Sequence, residues 1–484
     1  MIRRLLPALL LAAAPVAAQQ PAAPTPSPVT LPAAVTIDHV GTFGGKRVAY
    51  RAAVEGFDAT GTDGKPAARI VAVSYVARDA APGRPVLFVF NGGPISPSAI
   101  LHMGAFGPKR VAIPDDVTAP PSSFRLVDNP DTVLDVADIV FFDPAGTGFS
   151  RIAPGVDPRS QFGNVADARQ LQQLVLAWTK AHGRETSPVY LVGESYGTMR
   201  APEAAKQLAA VGRAPAGLIL VGQAVNIIEY AQRRGNIISY AVSLPTLAAT
   251  AWWHGKVDRR GRSFERFVAD AQQWGAGEYL ALLFAGDTAP LPRRQAAAAQ
   301  LQGFTGIPAD YWLSHALRMT KTEYQRALLP GRMLGTNDAR YVGPAEGPQP
   351  FDAIPDAYQA QLIRYLASDL HAGGIGTYAT ANPFTGGLND WNWGPNISPF
   401  GDWPYGRAIT DLFAGDPAFR LFVANGYYDT QTTIGAMDYL LSQSGWPRER
   451  VRSARYQGGH MPYTIDASLK RMMADVRAMV TRQW

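Results

Sequence analysis

Three residues of this chain, Ser195, Asp429 and His460, are of the types that together make a nucleophile. A serine hydroxyl attacks weakly until a base removes its proton. An imidazole serves as that base when an acceptor on its other nitrogen fixes its tautomer and stabilises the imidazolium. Ser195 lies in Gly193-Glu194-Ser195-Tyr196-Gly197, a G-x-S-x-G pattern. Before it runs an apolar, β-favouring stretch, Val189 to Val192; after it comes Ala- and Glu-rich sequence that reads as a helix. The five-residue pattern alone arises by chance, and the strand before and helix after are what single it out. A sharp strand-to-helix turn strains the serine backbone and exposes its hydroxyl at the sheet's carboxyl edge, above a helix N-terminus.

The base and its orienter follow from placement. Of seven histidines, His460 alone follows a strand in the last sheet-like segment, Val451 to Tyr456, on a Gly458-Gly459 approach. His39, His182, His254, His315 and His371 fall in surface or cap contexts, and His102 reads as a packing residue bordering the Asn91-to-Pro94 loop. Asp429 comes after the strand Phe419 to Ala424 and an Asn-Gly-Tyr-Tyr turn, where an aspartate also serves as a helix N-cap. Ser, Asp, His in that chain order, each past a strand's carboxyl end, is the arrangement of the α/β-hydrolases.

The elements that must position these residues are legible around them. Lys46 to Glu55 and Ala68 to Val76 read as an antiparallel sheet edge. Pro85 to Phe90, Ala137 to Phe142 and Ala216 to Val221 are buried strands, and Ala166 to Lys180 has helical apolar spacing. Strand and helix alternate, which predicts an α/β fold: a mixed, mostly parallel central sheet with a largely helical cap insertion. The expected division is a core of residues 36–223, a cap and aromatic loop over 224–400, and the rest of the core over 401–484. Two glycines at the end of the Pro85 strand allow close backbone approach, and Gly93 is the candidate for one oxyanion-hole N–H; an ordinary Gly-Gly-Pro turn reads the same way. Trp391, Trp393, Trp403 and Tyr405 crowd the Asn382-to-Arg407 loop, either as packing between cap and core or as a substrate rim.

Asn91-Gly92-Gly93-Pro94, Asp143-Pro-Ala-Gly-Thr-Gly-Phe-Ser150, the Glu-Ser-Tyr elbow, Asp429 and Gly459-His460 together resemble the serine carboxypeptidase family, in order over about residues 85 to 465. The resemblance implies a peptidase that removes single residues from free peptide C-termini. It implies an oxyanion hole of the Gly93 and Tyr196 N–H groups, with Asn91 and Glu194 holding the substrate's terminal carboxylate. The chain departs from the family's pattern at Ala105, two residues before Gly107-Pro108, where the family carries a glutamate facing the elbow glutamate. An esterase or acyltransferase on the same fold, or a catalytically silent peptide-binding relative, are the alternatives.

Composition bounds the rest. The 484 residues are 47% hydrophobic and 17% charged, with no cysteine, which excludes disulfides, thiol catalysis and thiolate metal sites. Neither a cofactor nor a metal is expected. Met1 to Ala18 has a basic n-region, an apolar h-region and a small-residue cleavage site, followed by a Pro- and Ala-rich spacer over residues 19–35. This predicts export, to a bacterial periplasm or exterior, with no membrane anchor once the signal is removed. The Lys256-to-Arg262 basic cluster lacks interleaved aromatics and reads as a solvated loop, so nucleic acid is not an expected partner.

Overall fold

The computed structural model describes residues 34–78, 80–382, 387–394 and 402–484. The expected signal peptide, nearly all of the spacer and parts of the aromatic loop lie outside the described residues. The strands in chain order are β1 (Val35–Phe43), β2 (Lys46–Thr60), β3 (Pro66–Ala77), β4 (Val86–Phe90), β5 (Lys109–Ala112), β6 (Arg125–Asp128) and β7 (Asp138–Phe142). They continue with β8 (Arg151–Ile152), β9 (Val189–Glu194), β10 (Gly217–Val221), β11 (Arg332–Leu334), β12 (Val342–Pro344), β13 (Arg420–Gly426) and β14 (Val451–Tyr456).

Ten of these form one sheet in the order β1-β2-β3-β7-β4-β9-β10-β13-β14, with β8 beside β3. The β1-β2-β3 edge is antiparallel, as is its junction with β7. From β7 to β14 every pairing is parallel. The parallel strands β4, β7, β9 and β10 are buried throughout, because helices cover both faces.

Alternate side chains of each strand feed two cores. Leu87, Val89, Ile139, Phe141, Val192 and Ile219 face one, with the helices Ala353–Ser368 and Asp466–Val480. Phe88, Phe90, Val140, Phe142, Leu191 and Leu218 face the other, with the helices Asn164–Ala181, Gly197–Ala210 and Pro404–Gly415. Each fully buried Leu, Ile, Val or Phe contributes about 1.5–3 kcal/mol, so the sheet is a rigid platform for its carboxyl edge.

A third apolar cluster belongs to the helical segment after β10, built on Leu244, Phe267, Leu301, Phe304, Trp312 and Tyr324. It reaches Tyr428 of the loop after β13 and Ile434 of the helix that follows, which ties it to the sheet. The helix Ala353–Ser368, from the same insertion, packs instead into the sheet's own core through Tyr358, Leu362 and Tyr365. Among the described residues no helix is long and apolar enough to cross a membrane.

Candidate active site

The elbow is built by close approach. Ser195 has a φ of 57°, and its N–H donates to the Val221 carbonyl at 3.0 Å, tying the turn to β10. A side chain on Gly193 would bring a Cβ to 2.2 Å from the Gly197 carbonyl oxygen, so the turn requires glycine there. A left-handed serine costs on the order of 1–3 kcal/mol, which the surrounding sheet sustains. The helix Gly197–Ala210 begins directly after, and Thr198 donates back to the Ser195 carbonyl through both its N–H and its hydroxyl.

The Asn91-Gly92-Gly93 loop leaves β4 alongside. The β4–β9 register sets Phe90 opposite Gly193. A Cβ on Gly92 would lie 2.5 Å from the Tyr196 nitrogen and 3.0 Å from Ser195 Cβ, so this loop touches the elbow. Among the described residues neither the Gly93 nor the Tyr196 N–H has an acceptor. Two unbonded N–H groups beside a candidate nucleophile are the raw material of an oxyanion hole.

Beneath both runs a buried polar network. Arg200 Nη1 donates to the Asn91 carbonyl at 2.5 Å and its Nε to Asp167 Oδ2 at 2.6 Å. Tyr196 Oη donates to Asn164 Oδ1 and Asp167 Oδ2 at 2.9 and 3.0 Å. Arg200 is wholly buried, its guanidinium against the rings of Phe90, Phe142 and Tyr196. Trp391 packs edge-on against Tyr196, with ring centroids 5.3 Å apart.

His460 Nδ1 and Asp429 Oδ2 are 2.7 Å apart, both buried. Asp429 Oδ1 also accepts the Gln431 and Thr432 N–H groups at 2.8 and 3.0 Å, and Oδ2 accepts the Thr432 hydroxyl. The N-cap of the following helix is Thr433, which leaves Asp429 to the imidazole and its own turn. A Cβ on Gly222, the residue after Val221, would lie 2.9 Å from His460 Cε1. The imidazole therefore stands beside the elbow that Val221 holds. Ser195 Oγ makes no hydrogen bond among the described residues, and contacts of this kind tighten when substrate binds. Burial pulls the imidazolium pKa down, but the charge and hydrogen bond of Asp429, with Glu194 adding, outweigh it and leave it raised.

Glu194 sits next to this pair, 2% exposed. Asn91 Nδ2 donates to its Oε1 at 2.7 Å, and Asn91 Oδ1 accepts the Leu101 N–H at 3.0 Å, which fixes the amide. Burial pushes the Glu194 carboxyl up to about 7, against the lowering effect of His460, Tyr463 and Asn91. Tyr463 Oη donates to Glu194 Oε2. Ala105 is buried in the turn His102–Phe106, and its side chain offers no polar group. His102, as its position suggested, is packed: stacked on Phe141, bonded to Tyr75 Oη at 2.7 Å, its pKa pushed down to about 3 by burial.

The sequence reading missed several residues of this region. Arg200 and Asp167 lie on different helices, and nothing local marks them as partners. Asn337, in the loop between β11 and β12, accepts the His460 N–H on its carbonyl at 2.6 Å. The buried Asp338–Arg340 pair, 2.7 Å, braces that loop. Tyr463, three positions past His460, carried the one available signal, its nearness in sequence to the candidate base. Among the described residues no three His, Asp or Glu side chains group as metal ligands would.

A mixed, mostly parallel sheet carrying a serine on a strained strand–helix turn defines an α/β-hydrolase. The family model described as serine carboxypeptidase matches residues 73–217, from β3 through the elbow into β10. A prohormone-processing carboxypeptidase from Saccharomyces cerevisiae matches in structure with a TM-score of 0.53 and 13% identity, over 90% of this chain and 92% of that one. A proline iminopeptidase from Mycobacterium smegmatis (TM-score 0.33, 13% identity, 92% and 98% covered) aligns more loosely. So does a carboxyl esterase from Bacillus coagulans (0.36, 14%, 88% and 99%). At these scores neither informs function. No curated protein matches the chain. Residues 73–217 thus match the serine carboxypeptidase family model, and the chain has the fold of an α/β-hydrolase.

Proposed function

We propose that the protein is an exported enzyme that trims residues from the free C-termini of peptides, with Ser195 as nucleophile, His460 as base and Asp429 as its orienter. The observation that carries the substrate class is Glu194, a buried carboxyl held by Asn91 next to the nucleophile. A carboxyl group binds a carboxylate only when one of the two is protonated. Glu194, pushed up to about 7 by burial, is a carboxylic acid at mildly acid pH and donates to the terminal carboxylate while Asn91 supplies an amide.

Ser195 Oγ attacks the last peptide carbonyl as His460 Nε2 takes its proton. The oxyanion forms at the Gly93 and Tyr196 N–H groups, each contributing about 3 kcal/mol to the transition state. His460 returns the proton to the leaving amino acid, and water, deprotonated by the same imidazole, releases the acyl group. Glu194 and His460 titrate as a coupled pair. When Glu194 is neutral it no longer favours the imidazolium, so the neutral imidazole that the reaction needs is easier to reach.

Two peptides of one sequence, one ending in a free acid and one in an amide, test this by mass spectrometry, with Ser195→Ala as control. Stepwise trimming of the free acid alone is expected, with kcat/KM falling above about pH 7 as Glu194 ionises, while hydrolysis of a simple ester rises to a plateau as His460 loses its proton. Ester hydrolysis dependent on Ser195 with neither peptide trimmed would favour the esterase reading, which Ala105 supports.

A further inference from the structure

Two buried carboxyl groups facing each other are one way to build a carboxylate site, because they share a proton. Here Ala105 ends at a methyl, and the ring of Tyr463 packs against the preceding residue, Gly104. A Cβ on Gly104 would lie 2.4 Å from Tyr463 Cε2 and 2.7 Å from its Cδ2, so the bare backbone of Gly104 is what admits the ring. Tyr463 is 1% exposed, and its hydroxyl donates to Glu194 Oε2 opposite the oxygen that Asn91 holds. It sits in the short turn Pro462–Thr464, directly after the His460 loop.

We propose that Tyr463 is the specificity-positioning residue of the carboxylate subsite, a neutral phenol that pins Glu194, the carboxyl that titrates against substrate. The assignment rests on the carboxypeptidase reading and deepens it. The titratable groups facing Glu194 are His460 and Asp429 from the loops after β14 and β13, Tyr463, and Tyr358 from the helix Ala353–Ser368. Burial and its bond to Glu194 keep the Tyr463 phenol protonated far above the working range. A donor that is always present favours the charged form of its acceptor. Tyr463 therefore holds Glu194 below the value that burial alone would set, and so fixes the pH at which terminal-carboxylate binding is lost.

The test is kcat/KM against pH for a free-acid peptide and for a simple ester, normalised to active sites counted with a fluorophosphonate. Wild type, Tyr463→Phe and Gly104→Ala are compared. Tyr463→Phe deletes the hydroxyl; Gly104→Ala keeps it and forces the ring aside, and gives the same readout should the first variant fold poorly. In both, the alkaline limb on the free-acid peptide is expected to move up by about one pH unit, since the bond favouring ionised Glu194 is gone. A limb that stays in place in both variants, with wild type still selective for the free acid, overturns the role of Tyr463 alone. A wild type indifferent to the free carboxylate overturns both this assignment and the carboxypeptidase reading.

Discussion

The proposed nucleophile and the proposed base are held by different kinds of structure. Ser195 stands on the middle of the sheet, with β4 and β10 on either side of its strand and Arg200 tying its helix to the Asn91 loop. His460 hangs from a loop past β14, the last strand of the sheet, and its backbone is gripped by Asn337, from the insertion. One half of the site is therefore set by the fold's core and the other by a contact between separate segments. Damage to the first half should appear as lost stability, and damage to the second as lost rate in a protein that still folds.

The sharpest break is at Arg200. Arg200→Met strands Asp167 as a buried unpaired charge and frees the Asn91 carbonyl, which should cost about 3–5 kcal/mol in urea unfolding. An unfolding midpoint like that of wild type would refute the idea that the core sets the elbow. Gly459→Ala addresses the other half. Its Cβ would lie 2.1 Å from the Asn337 carbonyl oxygen, so the His460 loop and the insertion must part. A misplacement near 1 Å predicts roughly a 100-fold loss in kcat. A stability loss as large as that of Arg200→Met, with kcat kept, would erase the distinction. The smallest effect belongs to Thr432→Val, which removes one of the donors on Asp429 and should lower kcat about tenfold, the worth of a single hydrogen bond to a charged group. An unchanged kcat would mean that the remaining donors orient the carboxylate by themselves.

The same division governs what was legible in the sequence. β4, β7, β9 and β10 are continuous apolar runs because parallel strands are covered on both faces, so their positions could be read directly. Ser195 announces itself through the glycines its turn demands. Asp429 and His460 follow because each ends a readable strand, and they meet at 2.7 Å. Arg200 with Asp167 and Asn337 with His460 carry no such mark, since each contact joins segments far apart in the chain. Ala105 could be read as a departure from the family's pattern, but the packing next to it could not. That Gly104 makes room for Tyr463, more than three hundred residues away in sequence, is a fact of packing alone.

The backbone of Ser195 bears on the silent-module alternative. At a φ of 57° glycine would sit more easily, by an amount on the order of 1 kcal/mol. In a chain that served only as a scaffold, Ser195→Gly would relieve that strain at no cost in function. A serine in that conformation carries the strain, and what it offers in return is a hydroxyl.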